Sequence, residues 1–251
     1  MKVVVIIPAR YASTRLPGKL ILPEAKTVTG RYIIEHVYQN VRHAKRIDGV
    51  IVATDSREIY DIVKAFGGDV EMTSLAHTSG TDRIAEVAVR TDADIIINVQ
   101  GDEPEIKAAM ADKVLETLVK DERAVMSTLA NKITSAAELS DPNVVKVVLD
   151  KDGYAMYFSR SQIPYVRDSQ DPVSESGITF LRHLGIYAYR REFLLAYPGL
   201  PASPMEHAEK LEQLRALFHG YKIKVAFTED TSRGIDTKED FIAFMERYNH
   251  D

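Results

Sequence analysis

The segment Ile6 to Lys19, reading IIPARYASTRLPGK, carries Arg10, Arg15 and Lys19 on a loop of small residues that leaves an apolar run at Pro8. Any one of these side chains reads equally well as a solvated surface charge. Three cations on a single loop after a buried strand point instead to a polyphosphate, which takes several charge-assisted hydrogen bonds at once. The loop ends in Gly18-Lys19, yet Ser13 stands where a Walker A motif needs glycine and Leu20 where it needs Ser or Thr. No G-x-G occurs among the 13 glycines, so the dinucleotide fingerprint is absent too.

Acids form the second set. In the run from Ile95 to Pro104, an apolar strand delivers Asp102 and Glu103 to its C-terminal end. Acids beside a polyphosphate repel it unless a cation intervenes, and Mg²⁺ commonly binds one or two carboxylates together with substrate phosphates. Asp102 is thus a candidate metal ligand, with a helix N-cap as the alternative. Asp236 precedes a final amphipathic segment, where it or Thr237 also suits an N-cap, and on the isolated signal capping is the stronger reading. Asp55 is ambiguous in the same way, and Glu103 reads as structural.

A third set lies in the middle of the chain: Ser159-Arg160, Arg182-His183, and Glu212-Gln213 with Arg215. Arginine offers a planar fork for a carboxylate, while His, Glu and Gln suit sugar hydroxyls. Glu212 and Arg215 also have the spacing of a surface helix pair. The seven histidines include no H-x-x-x-H pair, and no G-x-S-x-G occurs, so neither a zinc site nor a serine nucleophile is indicated.

The elements that must position these groups alternate. Strand-like runs at 3–7, 50–53, 70–72 and 94–99 are separated by helix-like segments at 30–43, 57–66 and 81–90, the rhythm of a parallel sheet with helices on its faces. Val3 to Ile7 are β-formers in an unbroken run, which suits a strand covered on both faces. In open sheets of this kind ligands bind beyond the carboxyl ends of the strands, where the basic loop and Asp102 both fall. Further on, Lys151-Asp152-Gly153 between apolar runs predicts a hairpin of 144–149 and 154–158. A strand is expected over 184–189, a helix over 206–218, a strand over 223–227 and a last helix over 238–248. Residues 166–179 read as a long loop.

With 251 residues and 45% hydrophobic content the chain can build its core without staples. It has no cysteine, hence no disulfides and no thiol chemistry. Lys2 and five apolar residues are too short for a signal peptide, and no apolar run reaches the ~20 residues that span a bilayer. A net charge of −5 offers no global attraction for nucleic acid. The expectation is a soluble, cytoplasmic protein with no membrane or nucleic-acid partner and local anion binding.

Taken together, PARYASTRLPGK (8–19), IVATD (51–55), MTS (72–74), SGTDR (79–83), NVQGDEP (98–104), NVVKVVLDKDGYAMYFSRSQIPY (143–165), LRHLGIYAYRREFL (181–194), SPMEHAEKLEQLR (203–215) and GIDTKED (234–240) resemble the 3-deoxy-manno-octulosonate (Kdo) cytidylyltransferases of Gram-negative lipopolysaccharide assembly. The resemblance implies a single α/β domain over 1–251 of the nucleotide-diphospho-sugar transferase type: three layers, α/β/α, with a mostly parallel mixed sheet. The nucleotide-binding half covers about 1–105, and the sugar-binding, β-rich dimerisation portion about 106–251. It implies CMP transfer from CTP to the anomeric hydroxyl of Kdo with release of pyrophosphate. Arg10, Ser13, Arg15 and Lys19 would hold the triphosphate; Ser79, Gly80 and Arg83 would shape the nucleotide pocket; Met72, Thr73 and Gln100 would lie near base and ribose. Asp102 and Asp236 would carry Mg²⁺, which reverses the capping preference for Asp236. Arg160, His183, Tyr187, Glu212 and Gln213 would form the sugar-acid pocket, and a homodimer is implied. Alternatives are a related acceptor, amino-Kdo or a sialic-type acid, and a non-catalytic nucleotide binder of the same fold. The chain departs from the usual family pattern at Leu20-Ile21-Leu22-Pro23 and Gly30-Arg31-Tyr32, between the basic loop and the next helix.

Overall fold

The computed structural model describes residues 1–12, 15–77, 79–169 and 171–248. In chain order the elements are β1 (Val3–Ala9), a 3₁₀ turn (Lys19–Ile21), α1 (Pro23–Thr29), α2 (Ile33–Arg42), β2 (Gly49–Thr54), α3 (Arg57–Ala65), β3 (Asp69–Met72), α4 (Gly80–Val89), β4 (Ile95–Asn98), α5 (Ala108–Val119), β5 (Met126–Lys132), α6 (Ala136–Ser140), β6 (Lys146–Leu149), β7 (Ala155–Ser159), α7 (Pro172–Glu175), β8 (Leu181–Arg190), α8 (Arg191–Ala196), a 3₁₀ turn (Tyr197–Gly199), α9 (Pro204–Glu209), α10 (Gln213–Phe218), β9 (Ile223–Phe227) and α11 (Lys238–Tyr248). They form two compact units, Met1–Asp112 with Tyr189–Pro198 and Thr231–Asp251, and Lys113–Ala188 with Gly199–Asp230. No helix of the described residues is long and apolar enough to cross a membrane.

In the first unit the strands run β3-β2-β1-β4, all parallel. Val3 to Ile7 are at most 4% exposed, as expected of a strand covered on both faces. Chain order moves outward from β1 through β2 to β3, then crosses back to place β4 on the other side of β1. The strand order therefore reverses between β1 and β4, and the crevice beyond their carboxyl ends is the place where open α/β sheets bind ligands. The basic loop leaves β1 there, and the Asp102 loop leaves β4.

Gly101 shows how close those two loops come. A Cβ on it would stand 2.9 Å from the carbonyl oxygen of Pro8 and 3.3 Å from Ile34 Cδ1, and the backbone oxygen has no room to yield. Gly101→Ala is expected to cost about 1–3 kcal/mol by overpacking, read as a lower midpoint in urea unfolding.

The segment that departs from the family pattern is a built part of this unit. Leu20 and Ile21 are buried, Pro23 opens α1, and Gly30 ends it in the left-handed conformation at φ 79°. The helix expected over 30–43 is α2, which starts three residues later, at Ile33, while α1 before Gly30 is a helix the sequence pattern did not announce. Thr29 Oγ1 lies 2.7 Å from Nε2 of buried His36, and Lys26 sits over the Tyr32 ring.

In the second unit β5 lies between β8 and β9 and runs parallel to β9. β6 and β7 form the expected hairpin, pairing antiparallel from Lys146↔Ser159 to Leu149↔Ala155, with Gly153 at φ 78° in the turn. β6 also pairs antiparallel with β8. The helix expected over 206–218 is broken. Lys210 adopts φ 55° and ends α9, and Arg215 folds back to fork onto Glu206 at 2.9 and 2.6 Å. Nine residues of unbroken helix would separate those two by about 13.5 Å, so the ion pair requires the break. The 166–179 loop contains the short α7.

Candidate active site

In the first unit Asp102 and Asp236, from segments far apart in sequence, converge on one atom. Lys19 Nζ lies 2.6 Å from Asp102 Oδ2 and 2.9 Å from Asp236 Oδ1, and Arg15 reaches Asp236 Oδ2 at 2.9 Å. The loop is closed by Gly18, at φ 66°, whose N–H donates to the Tyr11 carbonyl, and this turns Lys19 inward to 9% exposure. Burial alone would lower the Lys19 pKa, but Asp102 and Asp236 more than offset it and hold the ammonium above its usual 10.5. Asp102 does not cap a helix, since α5 starts only at Ala108. Nor does Asp236: Thr237 caps α11 by accepting from the Asp240 N–H at 3.1 Å. Ile235 N–H donates to the Asp102 carbonyl at 2.9 Å, clipping one acidic segment to the other.

A second network holds the loops after β2 and β3. Arg83, 4% exposed, donates to Asp55 Oδ2 at 2.6 Å and to Thr73 Oγ1. Thr73 N–H in turn donates to the Thr54 carbonyl. Asp55, left ambiguous by sequence, is therefore the counter-charge of a buried strut. Ser79 is the N-cap of α4, accepting from Asp82 N–H, and Gly80 is its first residue. Tyr11, Asp55, Ser56 and Leu75 are among the residues lining an open cleft of about 360 Å³. Arg10 and Met72 are exposed and Gln100 is partly buried, while Ser13 lies outside the described residues.

In the second unit Arg160 donates from Nε to the Glu209 carbonyl at 2.7 Å and from Nη1 to the Pro142 carbonyl at 3.0 Å. Glu209, which sequence reasoning missed, also accepts from Ser159 Oγ and Arg160 N–H. Fully buried Lys146 donates to the carbonyls of Asp141, Val144 and Arg160, and burial holds its pKa below the usual value. Arg215 pairs with Glu206, as described above. Arg182 is held by Asn131 and Glu138. Tyr187 is buried with its ring 5.4 Å from that of His183. Gln213 is 5% exposed with Nε2 unpartnered among the described residues, and Glu212 precedes it at the start of α10.

Residues 4–223 match the Cytidylyltransferase family. The 3-deoxy-manno-octulosonate cytidylyltransferase of Geobacter metallireducens is 47% identical over 98% of both chains, and that of Syntrophotalea carbinolica is 47% identical over 96% of both. The chain belongs to the 3-deoxy-manno-octulosonate cytidylyltransferase family. Among solved structures, a CMP:2-keto-3-deoxy-manno-octonic acid synthetase complexed with CTP superimposes with a TM-score of 0.92 and 41% identity, covering 100% of this chain and 99% of that one. A cytidylyltransferase from Leptospira borgpetersenii serovar Hardjo-bovis, at 20% identity and TM-score 0.66, covering 100% of this chain and 88% of its own, shares the fold. The α/β class expected from the alternating pattern is that of these relatives.

As a cytidylyltransferase of this family the chain has a donor set that fits Mg²⁺. Two hard carboxylate oxygens, on Asp102 and Asp236, aim at one positively charged point beside a basic loop. Among the described residues no group of three or more His, Cys, Asp or Glu side chains could cage a metal. Two carboxylates completed by phosphate oxygens is the arrangement magnesium takes, whereas calcium needs more protein oxygens.

Two histidines add to the loss of stability expected on acidification. The His183 residue keeps some exposure, but its ring packs edge-on to Phe158 and beside Tyr187, and burial pushes its pKa to about 3. Burial, with Arg31 nearby, lowers His36 to about 4. Both are neutral when folded and take a proton near 6.5 when unfolded, so acidification through that value favours the unfolded state. Each can remove up to about 1.4 kcal/mol per pH unit, down to its folded value. Urea midpoints are expected to fall between pH 7 and pH 4.5, and less steeply in His36→Gln.

Proposed function

We infer that the chain transfers CMP from CTP to the anomeric hydroxyl of Kdo. The sugar oxygen bonds to the α-phosphorus, the bond from that phosphorus to the pyrophosphate oxygen breaks, and the hydroxyl proton leaves to solvent. The convergence of Lys19, Asp102 and Asp236 carries the reading: two carboxylates of the type that hold a metal meet at the end of the basic loop that follows β1.

In this reading Arg10, Ser13, Arg15 and Lys19 bind the triphosphate, and their charges offset the repulsion between phosphate and the Kdo carboxylate. Asp102 and Asp236 would hold Mg²⁺, which when bound would draw charge from the phosphates and acidify the attacking hydroxyl. Arg83 holds Thr73, and with it the Met72–Thr73 backbone that reads the base, while Ser79 and Gly80 shape the pocket and Gln100 lies at the ribose. Catalysis is then chiefly positioning and charge stabilisation.

Arg160, His183, Tyr187, Glu212 and Gln213 take the sugar acid. The Thr128 hydroxyl has one proton and sits 2.7 Å from the Ile186 carbonyl, so toward His183, at 3.0 Å, it acts as acceptor. His183 therefore carries its proton on Nε2 and offers Nδ1 as an acceptor to a sugar hydroxyl. The unpartnered Nε2 of buried Gln213 supplies a donor. The reading includes a cytoplasmic homodimer formed through the β-rich portion, supported by exposed Met156 and Tyr165 there.

Pyrophosphate release over a panel of sugar acids, each with CTP and with UTP, tests this reading. Release with CTP and Kdo well above every other pairing is expected. Release with amino-Kdo or a sialic-type acid but not with Kdo would overturn the acceptor assignment, and CTP binding without release for any acid would leave a binding protein.

A further inference from the structure

We propose that Asp240 is a positioning residue for Asp236, deciding which of two adjacent side chains caps α11 and so keeping the Asp236 carboxylate directed at the cation site. The proposal rests on the reading of Asp236 as a metal ligand. Asp240 Oδ2 accepts from Thr237 N–H at 2.8 Å, from Asp236 N–H at 3.1 Å and from Thr237 Oγ1 at 2.9 Å. Thr237 Oγ1 accepts in return from Asp240 N–H, completing a reciprocal cap.

Asp is as good an N-cap as Thr. If the reciprocal cap is removed, Asp236 is the neighbouring side chain able to serve the orphan amides of α11, and doing so turns its carboxylate away from Lys19 and Arg15. The intact chain prevents this from both sides. Ile235, 2% exposed, is tied by its N–H to the Asp102 carbonyl, and α11 is fixed by buried Phe241 and Phe244 and by the Arg247–Glu105 fork at 2.8 and 2.8 Å. Between those anchors, the Asp240 carboxylate is the group that sets the backbone at Asp236.

The test is Mn²⁺ binding to the CTP complex, read from loss of the free-ion EPR signal, with melting temperature measured alongside. Asp240→Ala is expected to weaken Mn²⁺ binding about tenfold, Thr237→Val less but in the same direction, and Asp240→Asn, which keeps one acceptor oxygen, by under about threefold. Asp236→Asn is the reference and should weaken binding at least as much as Asp240→Ala. If Asp236→Asn weakens binding while Asp240→Ala binds Mn²⁺ like the wild type, the proposal is overturned, even where the melting temperature falls. Should Asp240→Ala not fold, wild-type affinity in Thr237→Val overturns it equally. If Asp236→Asn itself binds like the wild type, the ligand reading fails and takes the proposal with it.

Discussion

Asp102→Asn is expected to lower turnover by a factor of about a thousand or more, since on the proposed reading it removes one of the two carboxylates that would hold Mg²⁺ against the phosphates. The fold should survive. Asparagine has the same shape, its side-chain oxygen can still accept from Lys19 Nζ, and the Asp102 carbonyl that receives Ile235 N–H is untouched. The position is 27% exposed, so any stranded partner has water within reach. The outcome is read as kcat at saturating CTP and Kdo, with unchanged circular dichroism and a melting temperature close to the wild type. A rate near normal would remove Asp102 from the metal site. A rate lost together with the fold would mean that Asp102 holds the loop, not the reaction.

Arg83→Met is expected to show the largest loss of stability, about 3–5 kcal/mol, because breaking one half of a buried ion pair strands the other charge. Asp55 is only 16% exposed, and with Arg83 gone Thr73 Oγ1 also loses its donor. Urea unfolding measures this directly. A double variant, Asp55→Asn with Arg83→Met, should recover a substantial part of the loss, since replacing both members of such a pair is far less costly than removing one. CTP affinity should stay weakened in the double variant, because Thr73 is still unsupported. If Arg83 were instead a direct phosphate ligand, the single variant would lose CTP affinity at nearly unchanged stability.

These variants separate what the sequence reveals from what folding adds. Unbroken β-formers at Val3 to Ile7 and alternating amphipathic segments carry the first unit's parallel strands, because buried strands and crossover helices leave strong periodic signals. The hairpin at Lys151-Asp152-Gly153 and the final helix Lys238–Tyr248 are legible for the same local reasons. The helix break at Lys210 is not, since its cause is the Arg215 fork onto Glu206, although Ser203 and Glu206 have the spacing of a capping box. Likewise Lys146 reads as an ordinary strand lysine until three carbonyls are seen around it. At the site, residue types point to Lys19 and Asp102, whereas for Asp236 they favour a helix cap and only the family resemblance points to a metal ligand. Only the fold shows that Thr237 takes the cap, leaving Asp236 for Lys19 and Arg15.

The central claim is that this site joins CMP to the anomeric oxygen of Kdo with loss of pyrophosphate. Phosphorus NMR of the protein with CTP, Kdo and Mg²⁺ tests it most directly. The expected result is a new phosphodiester resonance growing in step with pyrophosphate, one for one. Pyrophosphate appearing with free CMP and no sugar diester would contradict it, as would a spectrum in which CTP remains unchanged.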